Sequence, residues 1–392
     1  MKRKLICGLM FAGLAPMLLS ANDSIAKPKF KITPNGRILA DGALFFPHRN
    51  GFADGVAVPD IRAGVSATFG NWHAKVDIGY AFGKVGVKDV YMQYQFDDAN
   101  LLRGGYFVHQ FGLQSSTSSS MKSTFETPIT DSYMKCTDRN IGLMYQYDKG
   151  KFLATASAIV GTKISEYANQ NGKVSVGAIT RLLWRPLRSQ GMVAQVGLSG
   201  WYQTAFHQAI PDENDGTKIN VSKGYFTYSA NYPTRVDQLP LLATTVRNAN
   251  GVVKLSPEML LSAGRFALGG QYYYMNINRG HKNAFISNGA YGMLRGLILG
   301  DKSYGYSSAA GGLATPKPKT LECVLSYNYT NANTVRAGIE GGITNDWSVT
   351  LNYYINKYML CRLRWSYTDV RNSSVVPDNS INILQARIQV IF

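Results

Sequence analysis

The chain has 392 residues, only 17% of them charged, against about 25% in ordinary soluble domains, and it is rich in Gly (39), Tyr (24) and Phe (17). That balance disfavours a disordered chain, a coiled coil or a helical bundle, and four cysteines, no two at a zinc-site spacing, exclude a disulfide-dense scaffold. A formal net charge of +17 favours an anionic partner or permeant over a cationic one.

At the N-terminus, Lys2, Arg3 and Lys4 precede an apolar stretch, Leu5 to Leu19, and Ser24-Ile25-Ala26 offers the small residues that a signal peptidase reads. Residues 1–26 are therefore expected to be a secretory signal peptide, and 27–392 a single mature domain. The apolar stretch is shorter than the ~20 residues of a spanning helix, and Cys7 lies too near the start to be a lipoprotein cysteine. Secretion removes intracellular nucleic acid from the partners under consideration. No later apolar run reaches the ~18 residues of a transmembrane helix.

Alternation follows instead. Ile61, Ala63, Val65, Ala67 and Phe69 form one row, Asp60, Arg62, Gly64, Ser66 and Thr68 the other, and a strand puts the two rows on opposite faces. After the tight turn Gly70-Asn71, Trp72, Ala74, Val76, Ile78 and Tyr80 oppose His73, Lys75, Asp77 and Gly79. Near the end, Met359, Cys361, Leu363, Trp365 and Tyr367 oppose Arg362, Arg364, Ser366 and Thr368, and the last strand closes on Phe392. A soluble sandwich would turn the polar rows to bulk water. A membrane barrel inverts this, with apolar rows facing lipid and polar rows facing a wet lumen.

Three features select the barrel. Aromatics such as Trp72, Tyr80, Tyr94, Trp347, Trp365 and Tyr367 stand where interface girdles would lie. Short connections (Gly70-Asn71, Asp97 to Asn100, Asp148 to Lys151, Pro186 to Gly191, Ser262 to Gly264, Asn356-Lys357) alternate with long ones (Pro47 to Ala57, His109 to Asp138, Gly161 to Gly172, Thr204 to Asn250, Arg371 to Asn379), as periplasmic turns and extracellular loops do. Phe392 ends an amphipathic strand, the signal a barrel-assembly machinery would read. The expected spans are 37–46, 58–69, 72–82, 87–96, 101–108, 139–147, 152–160, 174–185, 192–203, 252–261, 265–277, 285–299, 319–330, 346–355, 358–369 and 381–392. This makes an all-β transmembrane antiparallel barrel of about 16 strands, with 18 as the alternative count because 222–247 also holds strand-like pieces. Gly300 to Lys319 breaks the loop rule, being long on the turn side.

Gly36-Arg37-Ile38 with Asp41-Gly42, Lys88-Asp89 with Tyr91, Phe111-Gly112-Leu113, Leu321-Glu322 with Ser326-Tyr327, Asn352-Tyr353-Tyr354 and the closing Ala386 to Phe392 together resemble the phosphate-selective porin O/P family. The resemblance runs in order from Gly36 to Phe392. It implies a sixteen-stranded outer-membrane porin, a homotrimer, whose third and fifth loops fold inward and narrow the pore. The family's phosphate-selective members carry an arginine ladder in the fifth loop. Here Thr204 to Asn250 offers only dispersed Lys218, Lys223, Arg235 and Arg247. A general anion-preferring porin is expected, rather than one fixed on phosphate or polyphosphate.

An anion entering a narrow wet channel sheds part of its hydration, which basic side chains must replace without holding it too long. The candidates for the anion pathway are Arg62, Lys75, Arg181, Arg185, Arg362 and Arg364 on inward rows, Lys122, Lys135 and Arg139 on or just after the third loop, and Arg247 in the fifth. Arg103 shares the inward row, as do Arg37 and Arg387, for which barrel closure is an equal role. Carboxylate pairing competes with permeation for Arg62 beside Asp60 and Lys75 beside Asp77, whereas no acid stands between Lys357 and Asp369 to neutralise Arg362 and Arg364.

The five His residues show no paired ligand spacing, and no Gly-x-Ser-x-Gly elbow or phosphate-cradling loop occurs, so neither catalysis nor a metal or other cofactor is expected. Cys323 and Cys361 fall on lipid-facing rows of non-adjacent strands, and Cys136 is alone in a loop. The partners expected are small anionic solutes, outer-membrane lipid and lipopolysaccharide. Two other readings are a surface barrel used for adhesion or envelope structure, and a saccharide channel whose loop tyrosines stack on sugars.

Overall fold

The computed structural model describes residues 29–47, 51–161, 173–211, 219–309 and 311–392. The expected signal peptide and Lys218 lie outside the described residues. Its first nine strands are β1 (Lys31–Phe46), β2 (Gly55–Phe69), β3 (Trp72–Ala81), β4 (Lys84–Gln95), β5 (Asn100–Val108), β6 (Arg139–Lys149), β7 (Phe152–Val160), β8 (Val176–Ser189) and β9 (Met192–Thr204). Two small hairpins follow, β10 (Ala209–Pro211) with β11 (Ile219–Val221) and β12 (Tyr225–Asn231) with β13 (Pro240–Arg247). Next come β14 (Gly251–Ala263), β15 (Phe266–Arg279), β16 (Lys282–Leu299) and a third hairpin, β17 (Tyr306–Ser307) with β18 (Gly312–Leu313). The chain ends in β19 (Thr320–Thr334), β20 (Ile339–Tyr354), β21 (Met359–Arg371) and β22 (Asn379–Ile391).

Sixteen of these strands close a barrel in chain order, β1–β9, β14–β16 and β19–β22, each antiparallel to its neighbours. β22 returns to β1, pairing Ile391 with Arg37 and Asn382 with Phe46. The strand-like pieces at 222–247 are the β12–β13 hairpin, outside the barrel wall, so the count is 16 and not 18.

The two rows of each strand part as their chemistry requires. On β21, Leu363 and Trp365 are 46% and 45% exposed, while Arg364 between them is 4% exposed. The same outward apolar face runs through β8 (Leu182, Trp184), β9 (Val196, Leu198) and β22 (Leu384, Ile388). Water would penalise such a surface at roughly 25 cal/mol per Å², and hydrocarbon does not. At the turn end of β3 and β4, Trp72 and Tyr94 pair at 4.7 Å, with Phe96 beside them at 5.0 Å from Tyr94, a piece of an aromatic girdle.

Two prolines stand where the ladder is broken. Pro59 falls in the shift between the Leu39–Asp60 and Asp41–Ala57 pairs, and Pro186 in the shift between Trp184 and Leu187. With no N–H to donate, proline fits a strand at such an irregularity. β8 therefore runs on to Ser189 past the expected end at 185. β1 and β20 likewise begin six and seven residues earlier than alternation predicted, at Lys31 and Ile339.

The loop rule holds with exceptions on both sides. The connections at 82–83, 280–281 and 335–338 are short on the extracellular side. The long periplasmic connection 300–319 folds back into the barrel, where the Gly311 carbonyl accepts hydrogen bonds from Arg181 (3.3 Å) and Gln195 (2.8 Å), and Tyr304 donates to Glu322 at 2.7 Å.

Two extracellular loops also enter the lumen. The third, 109–138, carries α1 (Gly112–Ser116) and α2 (Ile129–Tyr133) and buries Phe111, Ile129, Tyr133 and Met134 in the main apolar cluster. Gly112 permits the approach of α1, since a Cβ there would lie 1.9 Å from Gln271 Nε2 and its φ is +83°. The fifth, 205–250, lays the β12–β13 hairpin against β20 and caps β21 and β22.

Candidate ion pathway

The inward loops divide the lumen unequally. On β8, β9, β14–β16 and β19–β22 the inward side chains are buried under loop, as in the Arg181, Ser199, Ser256, Ser287, Thr350 and Ser366 positions. On β2–β5 the inward side chains Arg62, Ser66, His73, Lys75, Tyr91, Gln93 and Arg103 remain half-buried. The open cross-section is thus a lane along the β2–β5 wall.

Charge is concentrated in this lane. Arg62 holds Asp60 with Nε at 3.1 Å and Nη2 at 3.0 Å. Arg37, facing the same carboxylate from β1, also bonds it and donates to Ser119 of the third loop at 2.7 Å. Lys75 lies 2.7 Å from Asp77 and 3.8 Å from Asp89, and Arg139, at the extracellular start of β6, reaches Asp89 at 2.8 Å. Arg235 enters from the fifth loop, 4.0 Å from Asp60. Toward the periplasm, Arg103 donates to Gln93 at 2.7 Å and lies 4.4 Å from the centroid of Tyr91.

Lys88 completes the series. Between the pairs Val76–Val90 and Ile78–Val87 the β3–β4 ladder holds a bulge, so Lys88 and Asp89 together oppose Asp77. Both turn inward, and Lys88 lies over Gly79, where a Cβ would come within 2.4 Å of its Cε. It is in electrostatic reach of Arg62, Arg139 and Arg235, and of the Asp60 carboxylate. Strict alternation gives Lys88 the opposite face from Asp89, and only the bulge brings it in. Among the described residues neither Lys88 nor Arg103 has a carboxylate at ion-pair distance. Six lane cations (Arg62, Lys75, Lys88, Arg103, Arg139, Arg235) thus meet four carboxylates (Asp60, Asp77, Asp89 and Glu126), of which Arg37 shares Asp60 and Arg387 shares Glu126.

The other basic candidates hold the loops. Arg362 donates to the carbonyl of Thr124 at 2.9 Å, and Arg387 to that of Phe125 at 2.8 Å. Arg364 donates to the carbonyl of Pro233 in the fifth loop at 2.8 Å and to Asp346 at 2.9 Å. Asp346 sits on the neighbouring strand, where an inspection of β21 alone does not find it. Arg387 grips Asp41 across the seam between the last and first strands at 2.7 and 2.6 Å, and also bonds Glu126. Arg181 is enclosed with Glu258 at 2.6 Å, and Arg185 is enclosed with Asp148 at the periplasmic end. Lys122 is buried within the third loop and donates to Thr127 at 3.0 Å. Lys135 lies 6.0 Å from the centroid of Tyr228 at the extracellular mouth, and Arg247 is exposed at the end of β13.

Glu126 ties these parts together. It takes Arg235 at 3.0 Å and Arg387 from opposite sides, joining third loop, fifth loop and barrel seam. Burial alone would raise its pKa, but Arg235 and Arg387 outweigh burial and hold the carboxyl at about 2. Asp131 has no cation at bonding distance, and burial pushes it up, with Tyr273 donating to it at 2.9 Å. Burial pushes the Lys122 ammonium down, opposed in part by Asp131 and Glu126. Among the described residues no group of acids, histidines and cysteines is placed to hold a metal, and Cys136, Cys323 and Cys361 are free thiols.

This architecture is shared widely among solved structures. An anion-selective porin from Comamonas acidovorans superposes with a TM-score of 0.58 at 11% identity, covering 93% of this chain and 100% of its own. The outer membrane channel DcaP of Acinetobacter baumannii gives 0.55 at 11% identity, covering 93% and 97%. The trimer form of OmpT from Vibrio cholerae gives 0.55 at 11%, covering 93% and 99%. At such identities the likeness is one of fold. No curated protein matches the chain in sequence. The family described as phosphate-selective porin O and P matches residues 53–392, from the first extracellular loop to the terminal phenylalanine, and the chain belongs to that family of outer-membrane porins.

Proposed function

We propose that the protein is a passive diffusion channel for small hydrophilic solutes with a preference for anions. The observation that carries this reading is the cation surplus along β2–β5, above all Lys88 and Arg103, which have no carboxylate at ion-pair distance among the described residues. An anion in the lane exchanges water for ammonium and guanidinium groups spaced from Arg62, Lys88, Arg139 and Arg235 through Lys75 to Arg103. Arg62, Arg235, Lys75 and Arg139 are partly occupied by Asp60 or Asp89, which shortens the dwell time, and flux needs both capture and release. Arg235 is the fifth-loop cation that reaches the lane among the described residues, so the arrangement supports general anion preference over a dedicated phosphate site.

Residues 1–26 act as a cleaved signal, 27–392 form the one mature domain, and exposed Phe392 is the assembly signal, with lipid and lipopolysaccharide around the apolar wall. A homotrimer fits the outer face near the barrel seam. There the small residues Ala40, Gly42, Ala57 and Ala386 form the floor of a shallow apolar concavity that the flank of a second copy would fill. The inward course of both long loops favours a channel over an adhesive surface. Reconstitution in planar bilayers across a KCl gradient tests the reading: discrete conductance steps with a chloride-directed zero-current potential support it, and a silent membrane or a potassium-directed potential refutes it.

A further inference from the structure

At the extracellular mouth, beside the lane, a cavity of about 390 Å³ opens between the third loop, the fifth-loop hairpin and the ends of β6, β9 and β14. Its inner wall is aromatic. Phe226 stacks on Tyr228 with ring centroids 6.1 Å apart, and Phe206 meets Phe226 edge-on at 5.7 Å. Trp201 closes the floor, with Lys254 Nζ 4.2 Å from its ring centroid and 5.4 Å from that of Tyr228. Lys254 is thus a buried cation facing two aromatic groups, and it donates a hydrogen bond to the Met134 carbonyl at 2.6 Å. Lys135 and Arg139 add positive charge at the rim, opposed by Asp138.

A buried polar side chain of this cavity, Gln203, is already committed. Gln203 accepts from Trp201 Nε1 at 3.2 Å and donates to Ser175 at 3.0 Å, which leaves its amide little capacity for the paired hydroxyls of a sugar. What the cavity offers is flat apolar faces beside fixed cations. We infer that it is a binding site for an aromatic carboxylate, the ring lying among Phe206, Tyr228 and Trp201 and the carboxylate meeting the Lys254 and Lys135 charges. The site borders the lane through Arg139, which lines the cavity and bonds Asp89 in the lane. An aromatic anion held there waits beside the pathway.

The tryptophans supply the probe. Trp72, Trp184, Trp347 and Trp365 face outward, 40 to 55% exposed, whereas Trp201 is buried within the lumen at 4%. Tryptophan fluorescence of the intact protein in detergent micelles, excited at the red edge, is titrated with sodium benzoate, sodium acetate and sodium glucuronate. The expected result is saturable quenching by benzoate at a concentration about tenfold below that of acetate, since the ring adds stacking to charge, and loss of the effect in Trp201→Phe. Phe206→Ala, which spares the fluorophore, should weaken benzoate about fivefold and leave acetate unchanged. Benzoate no stronger than acetate, glucuronate at least as strong as benzoate, or quenching that persists in Trp201→Phe overturns the inference. The readout needs no conductance, so a failed channel reading and a failed binding site are told apart.

Discussion

Substitution of Lys88 isolates one unpaired charge of the lane. Among the described residues the ammonium has no carboxylate at ion-pair distance, so Lys88→Met removes positive charge from the pathway without breaking a buried ion pair, and Gly79 beneath it accommodates the thioether. An anion passing about 5 Å from the ammonium in a wet lumen gains roughly 0.8 kcal/mol at the dielectric of water, and more where the walls exclude water. At 0.1 M salt the Debye length of about 10 Å leaves most of that interaction in place. Lys88→Met should therefore lower the chloride-to-potassium permeability ratio about fourfold, and Lys88→Glu about fifteenfold. The ratio is read as the zero-current potential across a tenfold KCl gradient. Arg247, exposed on the fifth-loop hairpin away from the lane, serves as the control, and Arg247→Gln should leave the ratio within about a factor of 1.5 at this ionic strength. An unchanged ratio in Lys88→Met together with a reduced one in Arg247→Gln would refute the reasoning, because selectivity would then reside in the outer loops.

Glu126→Gln leaves Arg235 and Arg387 without their shared carboxylate, and breaking a buried pair costs about 3–5 kcal/mol, so thermal unfolding in detergent should shift down and single-channel current should grow noisier as the third loop loosens. The pH dependence follows from the same carboxyl, whose pKa of about 2 in the folded protein lies below its ordinary 4.5. Its contribution, on the order of 3 kcal/mol, is complete above pH 4.5 and is lost as pH falls through about 2, so the difference in unfolding midpoint between wild type and Glu126→Gln should persist at pH 6 and shrink between 4.5 and 2. Arg181→Met strands Glu258 in an enclosed site and should destabilise the barrel by about 3–5 kcal/mol, while the permeability ratio stays put because the site is enclosed and remote from the lane. Gly112→Ala sets a Cβ against Gln271 at a positive φ, and should displace α1 and change conductance more than selectivity.

The strands were legible because one face meets hydrocarbon: alternation in β2, β3, β21 and β22 is a physical requirement, and each of the sixteen expected spans corresponds to a barrel strand. Their ends were less so. Pro186 reads as a stop, yet a ladder irregularity absorbs it. The proposed pathway was half legible. Arg62, Lys75, Arg139 and Arg103 stand on the lane as their positions imply, but Lys88 depends on a bulge that shifts register, and no periodicity announces it. Arg362, Arg364 and Arg387 carry the same inward signature as Arg62, and differ only in what covers them. Their partners are loop carbonyls of Thr124, Pro233 and Phe125, more than a hundred residues away, and a row of alternating residues holds no information on where a distant loop will settle. The periplasmic segment 300–319 was visible as an anomaly in length, without its reason, which is the capping of Arg181 and Gln195 by Gly311.

The division of the lumen into an open lane and a loop-filled half is tested most directly by thiol modification from the aqueous phase. Cys136 is buried and Cys323 and Cys361 lie on the lipid side, so the native background should be silent to an anionic, sulfonate-bearing thiol reagent. Ser66→Cys on β2 should react and reduce the chloride current in steps, whereas Thr350→Cys on β20, beneath the third loop, should remain unmodified. Rapid modification at 350 with none at 66 would place the pathway on the opposite wall and contradict the account.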